Sequence, residues 1–499
     1  MGLSALSGML GRFPAARPAL ADEQGELSAT ALLGACRVEQ QWLERRGATR
    51  VALLAGNHRG WVISDLALRA TGCVTVPLPA HFSDAQLRHA LVAASIDAVA
   101  TDLPERILAL DLGFAPQGRS PASALDWLVR PVADAPAALP PGTHRITFTS
   151  GSTGEPKGVC LTRTAEDAVA ASIAAVAATL GVERHLALLP LATLLENVAG
   201  LYASWRAGAT CVLSATTSAA IASGTIVPAA FTAAIRAAAA SSMILVPELL
   251  RIVVSAVESG WIPPHAGRFY AVGGARVGED LLARSAAARL PVFQGYGLSE
   301  CTSVTCLNTP KANRRGSVGQ PLPHARVRRL DSGELVVGGT LMAGYLGATN
   351  TIMGDTFPTG DLGEIDEDGY VYVKGRIKNV FINSLGRNIT PEWIESEIGQ
   401  EPGIGQIVVF GEARPDVVAL IVPARAGIAP VAIAKAVARG NARLPAYARV
   451  AHYALLGEPF SVGNGLLTGN GRPRRERIAA HHARELQLLH GEQRDTAVS

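Results

Sequence analysis

The sequence predicts an α/β protein built on a mostly parallel sheet. Short apolar runs at 51–54, 73–76 and 98–100 have the length and composition of buried strands. They alternate with amphipathic segments at 61–71 and 84–94 that have helical periodicity. Such alternation is typical of parallel sheets that are covered by helices. With 499 residues, the chain is long enough for several domain-sized cores.

Composition excludes several classes of function. The 45 basic and 42 acidic residues give a formal charge of only +3, so nothing favours a nucleic-acid partner. The six cysteines form no C-x-x-C pair, which disfavours a metal site and a disulfide framework. No signal peptide is recognisable, and no uncharged apolar run reaches the roughly 18 residues of a membrane span. We therefore expect a cytoplasmic protein without a membrane span.

The segment 149–158 has the chemistry of a loop that holds a polyphosphate. It follows a predicted strand at 145–149 and combines hydroxyl side chains, glycines and Lys157. Main-chain N–H groups at such a strand end can face an anion. It is not a Walker A loop, because Pro156 precedes Lys157 and no Ser or Thr follows it. The alternative is a flexible Ser/Gly linker, but a linker does not require the Pro-Lys-Gly that ends the segment.

A second motif, at 292–300, is a predicted strand that runs into a glycine turn. Glycines allow the main chain to approach a flat ring, and Tyr296 can stack on that ring. Glu300 offers a hard oxygen ligand for Mg²⁺. The alternative is an ordinary turn with a solvated glutamate.

The third motif comprises 357–363 and the segment 369–379. Asp361 can accept hydrogen bonds from both hydroxyls of a ribose, and Arg376 can add donors that fix the sugar. Residues 366–369 have the composition of a hairpin turn. As the plainer interpretation, Asp361 is itself only a turn residue.

In this order, the three motifs resemble those of the adenylate-forming (AMP-binding) enzyme superfamily, which includes acyl-CoA synthetases, peptide-synthetase adenylation domains and luciferases. The resemblance implies a large N-terminal α/β domain, residues 1–377, that binds nucleotide and acyl group. A small mobile α+β lid domain, residues 378–499, would rotate about a hinge at Lys378 between two half-reactions. ATP and Mg²⁺ are implied.

Two further segments resemble the long-chain acyl-CoA synthetase branch. Residues 189–197 are similar to its Leu-Pro-Leu-Ala-His-x-x-Glu segment, with Thr193 where histidine is usual. Peptide-synthetase domains place an aspartate near here for the substrate's amino group, and no counterpart is found. Residues 383–395 also resemble this branch, including a glycine loop at Gly386. Within them, Thr390 and Pro391 predict the N-cap and first residue of a helix.

The final motif, at 464–475, departs from the family pattern. Arg472 stands where a lysine contacts the carboxylate and the phosphate during adenylation. Both residues are cationic, but guanidinium is a planar fork rather than a compact charge. As an alternative, Arg472, Arg474, Arg475 and Arg477 form only a solvated basic tail.

The alanine-rich segment 215–242 allows two interpretations. It contains little charge and few large side chains. It could form a low-complexity surface, or helices packed closely around a narrow pocket. The sequence leaves both open.

The resemblance implies ATP-dependent activation of an apolar, fatty carboxylic acid to an acyl-adenylate, followed by transfer to coenzyme A. Alternatives are transfer to the phosphopantetheine of an acyl carrier protein, and a nucleotide- or acyl-adenylate-binding protein that has lost catalysis. A luciferase-type monooxygenase has no specific support. The implied catalytic residues are Thr153, Lys157, Glu300 and Arg472, of which Glu300 and Thr153 would hold the metal. The implied nucleotide-binding residues are Thr149, Ser150, Gly151, Ser152, Thr153, Gly154, Lys157, Gly274, Gln294, Gly295, Tyr296, Gly297, Ser299, Asp361, Arg376 and Lys378.

Overall fold

The structure is a computed structural model that describes residues 10, 13, 17–131, 136–149, 156–264, 267–348, 354–384, 387–468 and 471–491. Its helices are α1 (Ala29–Glu44), α2 (Arg59–Thr71), α3 (Asp84–Ala93), α4 (Pro104–Leu108), α5 (Arg163–Thr179), α6 (Ala203–Arg206), α7 (Ala215–Ser223), α8 (Pro228–Ala237), α9 (Pro247–Glu258), α10 (Glu279–Ala287), α11 (Pro391–Gly399), α12 (Pro430–Ala442), α13 (Arg475–His481) and α14 (Ala483–Leu489). A π-helix spans Leu195–Tyr202, and 3₁₀ turns span Ser299–Cys301, Ile377–Asn379 and Ala446–Ala448.

The strands are β1 (Pro18–Asp22), β2 (Gly25–Ser28), β3 (Arg50–Leu54), β4 (Val74–Pro77), β5 (Ala98–Thr101), β6 (Ala115–Arg119), β7 (Asp126–Val129), β8 (Thr143–Thr149), β9 (Lys157–Thr162), β10 (Arg184–Ala187), β11 (Thr210–Leu213), β12 (Ser242–Leu245), β13 (Phe269–Val272), β14 (Val292–Leu298), β15 (Ser303–Leu307), β16 (Gln320–Pro321), β17 (Ala325–Arg329), β18 (Glu334–Gly339), β19 (Gly344–Tyr345), β20 (Thr356–Ile365), β21 (Val371–Arg376), β22 (Phe381–Ile382), β23 (Asn388–Ile389), β24 (Ile404–Phe410), β25 (Val417–Pro423) and β26 (Val450–Leu455).

Two large mixed sheets form the N-terminal part of the molecule. One has nine strands in the order β16-β15-β14-β13-β12-β10-β11-β1-β2, and the other has eight in the order β19-β9-β8-β4-β3-β5-β7-β6. In both sheets the central strands are parallel and the edge strands are antiparallel. The predicted α/β class is confirmed, together with every strand and helix predicted between residues 51 and 101.

Local sequence explains why these elements begin and end where they do. Ser28 caps α1, since its side chain accepts a hydrogen bond from the main-chain N–H of Ala31. Ser83 and Gln86 form a capping box at the start of α3. Gly72 ends α2 in the left-handed conformation that glycine adopts easily. The apolar run of β3 is buried on both faces, as expected for a central parallel strand.

One large apolar cluster joins helices α1, α2 and α5 to residues of both large sheets. A second cluster covers the other face of the eight-stranded sheet. Beyond these sheets lies an antiparallel sheet in the order β17-β18-β20-β21. The C-terminal part has its own three-stranded sheet, β24-β25-β26, with α11 and α12 packed through one apolar cluster and α13 and α14 through another. No helix in the described part of the chain is long and apolar enough to cross a bilayer.

The expected glycine turn at the end of the second motif is wrong. Gly295 and Gly297 lie inside β14 and pair with β15, and the chain turns only at Ser299–Cys301. A Cβ atom on Gly297 would stand 1.6 Å from the main-chain oxygen of Ser303. These glycines are therefore needed for the close approach of a neighbouring strand rather than for a turn.

The turn at 366–369 and the start of helix α11 were also predicted from the sequence. The hairpin at 366–369 is confirmed, because β20 and β21 pair antiparallel around it. Helix α11 begins at Pro391 as predicted, but the side chain of Thr390 makes no capping hydrogen bond. That cap is thus correct in position and wrong in its bonding.

Candidate active site

A cavity of about 1860 Å³ lies where the nine-stranded sheet meets the antiparallel sheet and the C-terminal part of the chain. It is lined by side chains from all the sequence motifs that the structure describes. Among them are Lys157, Glu300, Asp361, Arg376 and Arg472. Residues that are more than 300 positions apart in sequence therefore meet in one cleft.

The structure describes only the two ends of the predicted phosphate loop. Ser150, Gly151, Ser152, Thr153 and Gly154 lie outside the described residues, as does Gly386. Thr149 ends β8 and is paired across the hairpin with Lys157, which begins β9. The loop thus leaves one strand and returns on its antiparallel neighbour, with Lys157 at the cavity.

Glu300 is held by a tyrosine that sequence reasoning missed. The hydroxyl of Tyr345 donates to Glu300 Oε1 at 3.0 Å. The Lys157 ammonium nitrogen stands 5.9 Å from the centroid of the Tyr345 ring. Burial, and then the charge of Glu300, raise the pKa of Tyr345, so its hydroxyl stays a donor. One carboxylate oxygen of Glu300 is thereby fixed, which orients a carboxylate of the kind that Mg²⁺ prefers as a ligand.

Asp361 is the centre of a second polar group. It is 5% exposed and accepts from the Tyr296 hydroxyl at 2.6 Å. Its other oxygen is 2.7 Å from Arg376 Nε, across the β20–β21 pair. Burial raises the pKa of Asp361, while Arg376 opposes that effect. The Tyr296 hydroxyl thus has a role that the expected ring stacking did not include.

Two further segments, one within and after β14 and one just after β13, complete this side of the cavity. Gln294 lies on β14 in register with Val272, and both Gln294 and Ser299 line the cavity. The Gln294 Oε1 atom is buried and accepts no hydrogen bond from the described residues. Gly274 follows β13 with a φ of +80°, which favours glycine. The side-chain amide of Gln294 and the main chain near Gly274 can therefore form hydrogen bonds with a planar heterocyclic ligand.

Arg472 reaches into the cleft from the C-terminal part. Its Nη2 donates to the main-chain oxygen of Gly274 at 2.8 Å. Desolvation by the surrounding protein, and then repulsion from Arg376, lower the pKa of Arg472. Arg475 does not belong to a solvated tail either, because it forms a bidentate ion pair with Glu395. The interpretation of this segment as a solvated tail is therefore wrong for Arg475, and Arg472, although exposed, lines the cavity and contacts Gly274.

Lys378 also lines the cavity, in the 3₁₀ turn Ile377–Asn379. Burial, and then repulsion from Arg376, lower its pKa. The turn follows directly after β21, which carries Arg376, and precedes the strands of the C-terminal part. Lys378 thus stands at the connection between the two parts.

One end of the cavity is apolar, and we call it the apolar chamber. The π-helix, which begins within the segment 189–197, contributes Leu195 and Ala199, and α5 contributes Ile173. Helix α7 lines it with Ala219 and Ala222. Both interpretations of the alanine-rich segment hold in part, because α7 lines the cavity but buries only Ser218.

The donor set suits Mg²⁺ better than a metal that requires a full protein cage. The described part of the chain contains no group of three or more His, Cys, Asp or Glu side chains that could hold a metal ion. Mg²⁺ commonly uses one or two carboxylates and completes its shell with phosphate oxygens and water. Glu300, with one oxygen fixed by Tyr345, fits that mode.

Comparisons with known proteins agree with this geometry. A family model described as AMP-binding enzyme matches residues 10–346, and one described as AMP-binding enzyme C-terminal domain matches residues 378–492. A long-chain-fatty-acid–CoA ligase, FadD15 of Mycobacterium bovis, is 28% identical over 74% of this chain and 72% of its own length. A feruloyl-CoA synthase of an Amycolatopsis species is 30% identical over 74% of this chain and 77% of its own.

Solved structures share the fold over nearly the whole chain. The anthranilate CoA ligase AuaEII, in complex with anthranoyl-AMP, superposes with a TM-score of 0.78 at 18% identity, covering 97% of this chain and 98% of that one. The o-succinylbenzoate CoA synthetase of Bacillus subtilis, in complex with ATP and magnesium, gives a TM-score of 0.75 at 22% identity, covering 95% and 98%.

Proposed function

The chain belongs to the AMP-binding enzyme family, and we propose that it activates an apolar carboxylic acid with ATP and transfers the acyl group to a thiol. The observation that carries this proposal is one cavity that joins Lys157, Glu300, Asp361 and Arg472 to an apolar chamber. The same cavity thus contains charged groups that can bind a nucleoside triphosphate and an apolar surface that can bind a hydrocarbon tail.

In the first half-reaction, an oxygen of the substrate carboxylate attacks the α-phosphate of ATP. A carboxylate–phosphate bond forms, the bond between the α- and β-phosphates breaks, and pyrophosphate leaves. Lys157 attracts the phosphates, and Asp361 accepts hydrogen bonds from the ribose hydroxyls. Glu300 and Thr153 would hold Mg²⁺, which would supply positive charge against the leaving pyrophosphate. Fixed charges aimed at the phosphates in this way lower the barrier by electrostatic preorganisation.

Arg472 supplies the remaining cation of this step. Its contact with Gly274 holds the guanidinium beside the strand ends where nucleotide and carboxylate would meet. The planar fork can contact a carboxylate and a phosphate oxygen together, so the charge of the usual lysine is retained in a different geometry.

In the second half-reaction, a thiolate attacks the acyl carbonyl carbon, a thioester forms, and AMP leaves. We propose that the C-terminal domain, residues 378–499, rotates about Lys378 away from the N-terminal domain, residues 1–377. That motion would withdraw Arg472 and present the loop at Gly386. Coenzyme A is the proposed acceptor, as the names of the curated relatives suggest. The phosphopantetheine of an acyl carrier protein was the alternative expected from sequence, and none of the similarities described here supports it.

The apolar chamber supports an acid with a hydrocarbon tail. Its walls include Ile173, Leu195 and Ile221, and small alanines keep it open. Each buried methylene group of such a tail contributes about 0.8 kcal/mol of binding free energy. A fatty acid is therefore the proposed class of substrate.

Pyrophosphate release with a panel of carboxylic acids tests the proposal. We expect release that depends on ATP, Mg²⁺ and an apolar acid, followed by thioester formation when coenzyme A is added. Nucleotide binding without pyrophosphate release for any acid would instead establish the alternative of a binding protein that has lost catalysis.

A further inference from the structure

A buried polar chain interrupts the wall of the apolar chamber. His185 Nε2 is 2.8 Å from Glu196 Oε1, and His185 Nδ1 is 2.9 Å from the Ser242 hydroxyl. Glu196, His185 and Ser242 are 0%, 4% and 3% exposed. The sequence motifs assign no role to His185 or Ser242, yet both line the cavity.

Strand register places the polar chain of Glu196, His185 and Ser242 far from the proposed nucleotide site. Leu245 of β12 lies in the same row as Gln294 of β14, two strands away, through Val272 of β13. Ser242 stands three residues before Leu245, toward the beginning of the strands. Ser242 is therefore about 10 Å across the sheet and about 10 Å along it from Gln294. Gly274, which Arg472 contacts, lies beyond the end of β13 and on the far side of this row from Ser242, so Ser242 is remote from the place proposed for the reacting carboxylate.

The fold makes specific room for the pair of Glu196 and His185. Both pack against Gly200 of the π-helix, where a Cβ atom would stand 2.2 Å from Glu196 Oε1 and 2.7 Å from His185 Nε2. A π-helix is rare, and short ones are frequent at functional sites. The combination of π-helix and glycine makes room for the polar side chain of Glu196 beside an apolar wall.

A count of hydrogen bonds shows which group remains available to a ligand. Glu196 Oε2 accepts from the main-chain N–H of Leu189 at 2.9 Å, and both ring nitrogens of His185 are engaged. Ser242 uses one bond of a hydroxyl that has one donor and two acceptor positions. Ser204 also lines the cavity, but its hydroxyl donates to the Leu201 carbonyl of its own helix. Glu196 has further acceptor positions, but it is not among the residues that line the cavity, so the spare hydrogen-bonding capacity that a ligand in the cavity can reach belongs to Ser242.

We propose that the preferred acid carries a hydroxyl group on its tail, remote from the carboxylate, and that Ser242 binds it. This inference rests on the proposed function and narrows its substrate class. A hydroxyl can both donate and accept, so it matches Ser242 whichever way the bond to His185 is directed. Glu196 and His185 act as positioning residues, because both ring nitrogens of His185 are used within the polar chain and Glu196 does not line the cavity.

The test compares saturated acids of increasing length, each with its terminally hydroxylated counterpart. The measured quantity is kcat/KM for pyrophosphate release. At the length that reaches Ser242, we expect the hydroxylated acid to be preferred by about two- to tenfold, the range that one neutral hydrogen bond typically contributes. Preference for the unmodified acid at every length would overturn the inference.

Three variants separate recognition from general damage. Ser242→Ala should abolish the preference by slowing only the hydroxylated acid, Ser242→Thr should retain part of it, and the control Ser204→Ala should leave it unchanged. An equal loss for both acids in Ser242→Ala would contradict the assignment. Failure of the proposed function looks different, since no acid of either series would release pyrophosphate, and the inference would fall with it.

Discussion

Replacement of Asp361 by asparagine tests the nucleotide site most sharply, because its hydrogen bonds can be counted. The carboxylate has about four acceptor positions. Tyr296 and Arg376 occupy one on each oxygen. About two positions remain, which matches the two hydroxyls of a ribose. Asp361→Asn keeps the shape but removes the charge and one acceptor oxygen.

The expected magnitude follows from those contacts. A hydrogen bond to a charged group contributes about 1.5–3 kcal/mol. Loss of the charge at Asp361 should therefore weaken ATP binding roughly 10- to 100-fold, since each 1.4 kcal/mol is a factor of about ten. Calorimetric titration of ATP measures this directly. Asp331→Asn, at an exposed turn between β17 and β18, is the matched control.

Dideoxy-ATP, which lacks both ribose hydroxyls, makes the experiment specific. The native protein should bind it more weakly than ATP, and Asp361→Asn should bind the two nearly equally. Burial raises the pKa of Asp361, and the ionised form is the acceptor, so ATP affinity should fall as pH decreases and begin to fall at a higher pH than for a solvated aspartate. If the variant still discriminates ATP from dideoxy-ATP as the native protein does, Asp361 does not bind ribose.

Three other predictions follow from the cavity and its strands. Lys157→Ala and Glu300→Ala should each slow pyrophosphate release about 100-fold or more, because a preorganised charge is lost. The control Lys435→Ala, on the exposed side of α12, should have no effect. Native rates in both site variants would show that the site is elsewhere. Tyr345→Phe should raise the Mg²⁺ concentration needed for half-maximal rate, since Glu300 loses its orienting donor; a defect that is equal at all Mg²⁺ concentrations would contradict this role. Gly297→Ala should lower the free energy of unfolding by about 1–3 kcal/mol in urea denaturation, because its Cβ would overlap a main-chain oxygen, and unchanged stability would mean that β15 can move away.

The sequence predicted best where local pattern decides the structure. The strand–helix alternation between residues 51 and 101 holds because each apolar run is short and each helix has a cap or a glycine end. The same is true of the turn at 366–369, whose Asp-Glu-Asp-Gly composition favours a chain reversal, with Gly369 at a φ of +82°.

Contacts between distant segments could not be predicted in the same way. Tyr345 reaches Glu300 because β19 pairs with β9, and His185 meets Ser242 because β10 pairs with β12. Neither pairing has a signal in a short motif. The glycine turn was wrong for the same reason, since the close approach of β15 to Gly297 is a property of the sheet.

The central claim is a two-step ligation in which the C-terminal part serves the first step through Arg472. Separate assays of Arg472→Ala test it most directly: acyl-adenylate formation from acid and ATP, and thioester formation from supplied acyl-adenylate. The first rate should fall about tenfold or more, as the loss of a charged hydrogen-bond donor implies, while the second stays nearly unchanged. Arg472→Lys should restore or raise the first rate. An unaffected first rate, or an equal fall of both rates, would contradict the account.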